Sequence, residues 1–150
     1  MEFENISVIE DEIIEEFANF NDWMDKYNYI IEMVKNVPVI DPNYKTDNNL
    51  ISGCQSRVWL HGEYRDGRVF FTADSEAVIT RGLASLLIRV MNGQKPDDIL
   101  DSDFFFVKKL GLREHLSPNR SNGLVSMIKQ MKLYALAFKT KATQAESNSE

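Results

Sequence analysis

One cysteine and two histidines are all this chain offers for sulfur or imidazole chemistry. Cys54 follows Gly53 and precedes the polar pair Gln55-Ser56, where a polar loop passes into a strand-like run. Glycine lets the backbone turn sharply, so the thiol can stand at a loop tip, the usual place for reactive groups on a rigid scaffold. An accessible thiolate there attacks another sulfur or, with a base, a small substrate. The competing reading is a cysteine that merely packs as a small hydrophobe; its polar neighbours weigh against that. A single cysteine excludes an intrachain disulfide and any multi-cysteine zinc or iron–sulfur site built by this chain alone.

Other chemically able residues have plainer explanations. His61 follows Cys54 on the same extended run and lies roughly 23 Å from it at about 3.3 Å per residue. His115 reaches Cys54 only through the fold, and both histidines read as structural or surface groups. Arg120, in Ser117-Pro-Asn-Arg-Ser-Asn-Gly123, reads by itself as a surface arginine or one that satisfies helix-end carbonyls. Asp97, Asp98, Asp101 and Asp103 follow Pro96, and a short helix start accounts for them without a metal. Asp74 and Ser75 read as the cap of a helix.

The elements that must position these groups follow from periodicity. A short acidic helix over Asp11 to Asn19 turns Ile13, Ile14 and Phe17 inward. Asn21-Asp22 caps a second helix from Trp23 to about Asn36, with Trp23, Met24, Tyr27, Ile30, Ile31 and Val34 as one apolar stripe. Pro38 and Pro42 stop helix, and Asp41 to Asn49 is a polar loop. Arg57 to Tyr64 alternates, with Val58, Leu60 and Tyr64 on one face. Asp66-Gly67 is a type I′ turn signal and Arg68 to Ala73 returns antiparallel. Glu76 to Met91 is a helix with Val78, Ile79, Leu83, Leu86, Leu87 and Val90 buried, stopped by Asn92-Gly93. Pro96 opens a short helix, Phe104 to Leu110 forms another, Ser117 to Gly123 is a loop, and Leu124 to about Thr140 is the final helix. The fold class is α+β, a small antiparallel sheet with helices packed on one face.

Composition narrows the function. With 43% apolar and 27% charged residues the chain suits one domain with a real core, placed at 1–141, followed by a disordered tail over 142–150. A net charge of −6 argues against a general nucleic-acid binder. No run is long and apolar enough to span a membrane. The acidic stretch Met1 to Glu16 is unlike a secretory signal or mitochondrial-type presequence, which points to the cytoplasm. Acids crowd the start: Glu2, Glu4, Glu10, Asp11, Glu12, Glu15, Glu16, Asp22, Asp25 and Glu32 face only Lys26. They read as a solvated helix face or, alternatively, as a docking surface for a partner.

Taken together, several blocks resemble the SufE-type sulfur-acceptor family. They are Gly53-Cys54-Gln55-Ser56-x-Val58-Trp59, Asp74-Ser75-Glu76-Ala77 leading to Gly82-Leu83, Leu110-Gly-Leu112, and His115-Leu-Ser-Pro-Asn-Arg-Ser-Asn-Gly-Leu124. The resemblance covers about Asp22 to Ala137 and implies a SufE/IscU-like fold. It implies that Cys54 takes a persulfide sulfur from a pyridoxal-phosphate-dependent, SufS-like cysteine desulfurase. Cys54 then passes the sulfur to a SufBCD-like iron–sulfur scaffold. The resemblance also implies an apolar recess that shelters the idle cysteine, with Arg120 near the loop as an anion stabiliser or as a contact to the desulfurase. Gly53, Gln55, Ser56, Asp74 and Ser75 would serve partner binding. It implies no cofactor or metal of the chain's own, no turnover without the desulfurase, and a monomer or homodimer. Two rivals remain at this point: a stand-alone thiol hydrolase or transferase with His115 as base, and a non-catalytic adaptor whose cysteine packs.

Overall fold

The computed structural model describes residues 3–148. Helix α1, Ile6–Phe17, starts five residues ahead of expectation because Asn5 caps it, its side chain accepting from the Val8 N–H at 2.9 Å. Ile13 and Phe17 point into the core as the periodicity requires. Its acids are not all solvated. Glu10 is buried and accepts the Phe106 N–H at 3.0 Å, and Glu16 is held by Arg89 and the Tyr29 hydroxyl. Burial raises the Glu10 pKa, against the lowering effect of Phe106, while the Arg89 hydrogen bonds hold Glu16 below the usual range despite its partial burial.

Helix α2, Trp23–Glu32, is capped by Asp22 as expected and tightens into a 3-10 turn over Met33–Asn36. Ile30 and Met33 are buried, but Met24, assigned to the inner stripe, is exposed. The chain then makes two 3-10 turns, Pro42–Tyr44 and Asp47–Asn49. Strands β1, Val58–Arg65, and β2, Arg68–Ser75, pair antiparallel from Arg65↔Arg68 to Val58↔Ser75. Asp66 and Gly67 both take positive φ, 53° and 78°, which is the I′ geometry. The sheet has these two strands only among the described residues.

Val58, Leu60, Val69 and Phe71 form the buried face of the hairpin, and α3, Val78–Met91, packs across it. This helix is buried almost all round, since α1, α2 and the last helix surround it. At its crossing with α2 there is no room for a side chain: a Cβ on Gly82 would lie 2.5 Å from the Ile30 carbonyl oxygen. Two expectations fail at its start. The strand runs through Ser75, so Asp74 and Ser75 do not cap α3, and Val78 faces solvent.

Short helices α4, Pro96–Asp101, α5, Phe106–Lys109, and α6, Leu112–His115, lead to α7, Pro118–Asn148. The expected loop over Ser117 to Gly123 is therefore the first turns of a helix. Ser117 occupies the cap position, its hydroxyl 3.4 Å from the Arg120 N–H and its carbonyl accepting the Ser121 N–H at 2.8 Å, and Pro118 suits the first helical position. Polar composition hid a helix start. The helix also continues beyond Thr140 through Asn148, across residues expected to be a disordered tail; 149–150 lie outside the described residues. Leu124, Met127, Met131 and Ala135 bury its inner stripe. Among the described residues no helix is long and apolar enough to cross a membrane.

Candidate functional site

Cys54 lies on a short irregular loop between Ile51 and β1. Its foot is closed by the Ile51 N–H donating to the Val58 carbonyl at 2.9 Å. The exit of the loop is fixed at the Arg57 carbonyl, which accepts from the Ser75 hydroxyl at 2.8 Å and the Glu76 N–H at 3.2 Å. Between these points, residues 52–53 form a turn and residues 55–56 make no close backbone–backbone hydrogen bond. Gly53 turns the loop at φ 87°, a conformation that L side chains resist, and a Cβ there would also lie 2.8 Å from Ser126 Oγ.

The thiol is half-buried and faces α7, its sulfur 4.0 Å from the Gly123 carbonyl oxygen. A recess of about 150 Å³ opens beside it, lined by Gln55 and Ser56 from the loop, Thr80 from α3, and Ser117, Asn119, Arg120 and Gly123 from the start of α7. Two blocks far apart in the sequence, 53–56 and 117–123, therefore meet at one sulfur. The sulfur packs against the edge of the hydrophobic core, in keeping with the apolar shelter that the resemblance implies, whereas the open space beside it is polar. The reason is local: the recess opens onto the first turn of α7, where unpaired N–H groups and their capping residues concentrate.

Burial alone raises the Cys54 pKa. The tucked group is therefore held as the thiol, not as the nucleophilic thiolate. Arg120 lines the same recess, yet its guanidinium donates to the Tyr27 hydroxyl at 3.0 Å and exerts no resolved pull on the sulfur. Asn119 Nδ2 donates to Gln55 Oε1 at 2.7 Å, directly joining the reactive loop to α7.

Asp74 and Ser75 are not in the recess; they brace its surroundings. Ser75 is buried with its hydroxyl on Arg57 and accepting from the Ala77 N–H at 3.2 Å. Asp74 binds Lys45 at 2.8 Å and Arg81 at 2.9 Å. Burial pushes its pKa up, but Lys45, the Ser75 N–H and Arg81 together bring it below the usual range. The histidines are engaged elsewhere. His115 bonds the Gly111 carbonyl at 2.9 Å and stacks on Trp23, while His61 lies flat on Tyr44 and near Glu63. Neither lines the recess, so a Cys54–His115 nucleophile pair is not assembled. Among the described residues no group of three or more His, Cys, Asp or Glu side chains could hold a metal ion.

Sequence reasoning missed Thr80, Tyr27 and Asn119 as site neighbours. Thr80 is a polar interruption at the start of an otherwise apolar helix, which was a usable signal; Tyr27 was absorbed into a core stripe.

A family model described as SufE, Fe-S metabolism associated domain, matches residues 11–135. The chain belongs to the SufE family. It is 39% identical over 127 residues to an uncharacterized SufE-like protein of Rhizobium meliloti, covering 81% of this chain and 91% of that one. A SufE-like protein of Rhizobium etli is 38% identical over 127 residues, covering 81% of this chain and 86% of its own length. SufE-like protein 1 of Arabidopsis thaliana, named chloroplastic/mitochondrial, is 36% identical over 140 residues, which are 93% of this chain and 38% of the plant protein. The fold is also that of the solution structure of a hypothetical protein from Thermus thermophilus. There the TM-score is 0.73 at 20% identity, covering 88% of this chain and 96% of the other. This SufE-family chain is thus placed in iron–sulfur metabolism, with an α+β fold of mostly helices around one hairpin.

Proposed function

We propose that this SufE-family protein accepts sulfur on Cys54 from a pyridoxal-phosphate-dependent cysteine desulfurase and delivers it to an iron–sulfur assembly scaffold. The observation that carries the reading is the setting of the sulfur. It sits on a loop held at its foot and its exit, tucked against the second block of the family pattern, with no base and no metal-binding cluster beside it among the described residues. Thiol exchange requires a thiolate and access, and neither an acid–base triad nor a metal.

In the transfer step the Cys54 thiolate attacks the outer sulfur of the desulfurase persulfide. A new S–S bond forms at Cys54, the bond from the outer sulfur to the enzyme's own cysteine breaks, and that cysteine leaves as a thiolate. No net oxidation occurs. The loop must extend for this, since the tucked sulfur is protonated and half-covered. Arg120 gains its charge-stabilising role when the loop or a partner displaces it from Tyr27. Asp74 and Ser75 serve docking indirectly, by fixing the exit of the loop at Arg57. The chain acts with its desulfurase and not as an enzyme by itself.

The test is intact-mass analysis after incubation with a cysteine desulfurase and free cysteine. The parent protein gains one sulfur that a reductant removes, and Cys54→Ser gains none. A mass unchanged in the parent overturns the reading.

A further inference from the structure

The reactive tripeptide is laid along a single stripe of α7. Gly53 lies over Ser126, the Cys54 sulfur over Gly123, and Gln55 is bonded to Asn119. Positions 119, 123 and 126 recur at helical period, so the loop runs antiparallel to the helix with one contact per turn. These contacts differ in kind. Gly53 has no side chain to engage Ser126, and the thiol to Gly123 carbonyl distance of 4.0 Å is at the outer limit for a weak sulfur donor. The 2.7 Å amide-to-amide bond is the one short, directional link between loop and helix. It sits near the tip of a flap whose two ends are anchored by the Ile51–Val58 bond and by the contacts of the Arg57 carbonyl.

We propose that the Asn119–Gln55 hydrogen bond is the catch of this flap: it sets the fraction of time the Cys54 loop spends extended, which makes Asn119 a positioning residue for sulfur acceptance. The proposal rests on the sulfur-acceptor reading for its purpose, but the catch itself is a property of the free protein. Both amides are exposed, so a docking protein can reach and replace this bond without entering the recess. A neutral hydrogen bond between exposed groups has a modest net strength, which suits a link made to be broken.

The experiment measures alkylation of Cys54 by iodoacetamide in the folded, free protein. With the reagent dilute enough that reclosing outpaces alkylation, the observed rate follows the open population. Asn119→Ala and Gln55→Ala are each expected to react about three- to tenfold faster than the parent. The double variant should react no faster than the faster single, since both remove the same bond. Asn119→Asp should stay close to the parent, because the Gln55 amide can turn over and donate to the carboxylate. Parent-like rates in both alanine variants, or single effects that multiply in the double, overturn the catch. Gln55 lies outside any regular element, so its variant tests the idea even if a change at Asn119 disturbs the start of α7. Persulfide loading by a desulfurase is read separately: a parent that alkylates but never loads refutes the sulfur-acceptor reading, while the alkylation series still decides the catch.

Discussion

Residues 41–50 and residues 52–56 are neighbouring stretches of polar chain that both lead into β1, yet they are held in opposite ways. The first is clamped to the outer face of the hairpin. Lys45 bonds Asp74 at 2.8 Å and lies 4.8 Å over the Trp59 ring, Tyr44 stacks on His61 with centroids 3.5 Å apart, and Asn49 ties back to the Tyr44 carbonyl at 2.8 Å. The second has one amide pair, one glycine in a left-handed conformation and a loosely seated sulfur. The proposed carrier role needs this division. The clamped segment keeps the foot of the flap in place, so that opening moves the tip alone.

Changes at Gly53 should break the contrast most strongly. Glycine there does more than hinge: φ 87° and the approach to Ser126 belong to the tucked pose, so a side chain opposes closing and not opening. Left-handed backbone costs an L residue about 1–2 kcal/mol, so Gly53→Ala should speed Cys54 alkylation about tenfold. A parent-like rate would mean the loop can tuck without that conformation.

Lys45→Met tests the clamped side. Losing the Asp74 pair and the Trp59 contact should lower unfolding stability in urea by about 0.5–1 kcal/mol. Alkylation of Cys54 should change less than twofold, which is the result that separates the two segments. The same variant alters the acid limb of stability. The folded-state pKa of Asp74 is depressed, so its contribution is complete above the ordinary aspartate value and is lost as pH falls through the depressed one. Lys45→Met should make stability fall less steeply below about pH 4.

The smallest effect expected is at Arg120. Since burial alone raises the Cys54 pKa, alkylation of the free parent should have its midpoint above the ordinary thiol range, with rate rising as pH rises. Arg120→Gln should leave that midpoint where it is. A clear upward shift would show that the guanidinium already favours the anion in the tucked pose.

Local chemistry made much of this molecule legible in its sequence. Asp66-Gly67 specifies its turn because both residues must take positive φ, and Asp22 caps α2 because a carboxylate there meets free N–H groups. The α+β class followed from those elements and their apolar stripes. What failed depended on packing between distant segments. Ser117 to Gly123 reads as loop by composition, and its polar residues turn out to be the first turns of a long helix. Glu10 and Glu16 look like a solvated face until Phe106 and Arg89 arrive from far along the chain. The Cys54 loop and Arg120 were paired by family pattern, whereas the Gln55–Asn119 bond and the polar walls of the recess were not, since no local rule joins residues so far apart.

Those polar walls bear on what shelter means for the sulfur cargo proposed above. A space of about 150 Å³ lined by hydroxyls, two amides and a guanidinium admits a few water molecules but not a peptide-sized thiol such as glutathione. The proposed cargo would be screened by size as well as by burial against the core, so bulky reductants should discharge it more slowly than small ones.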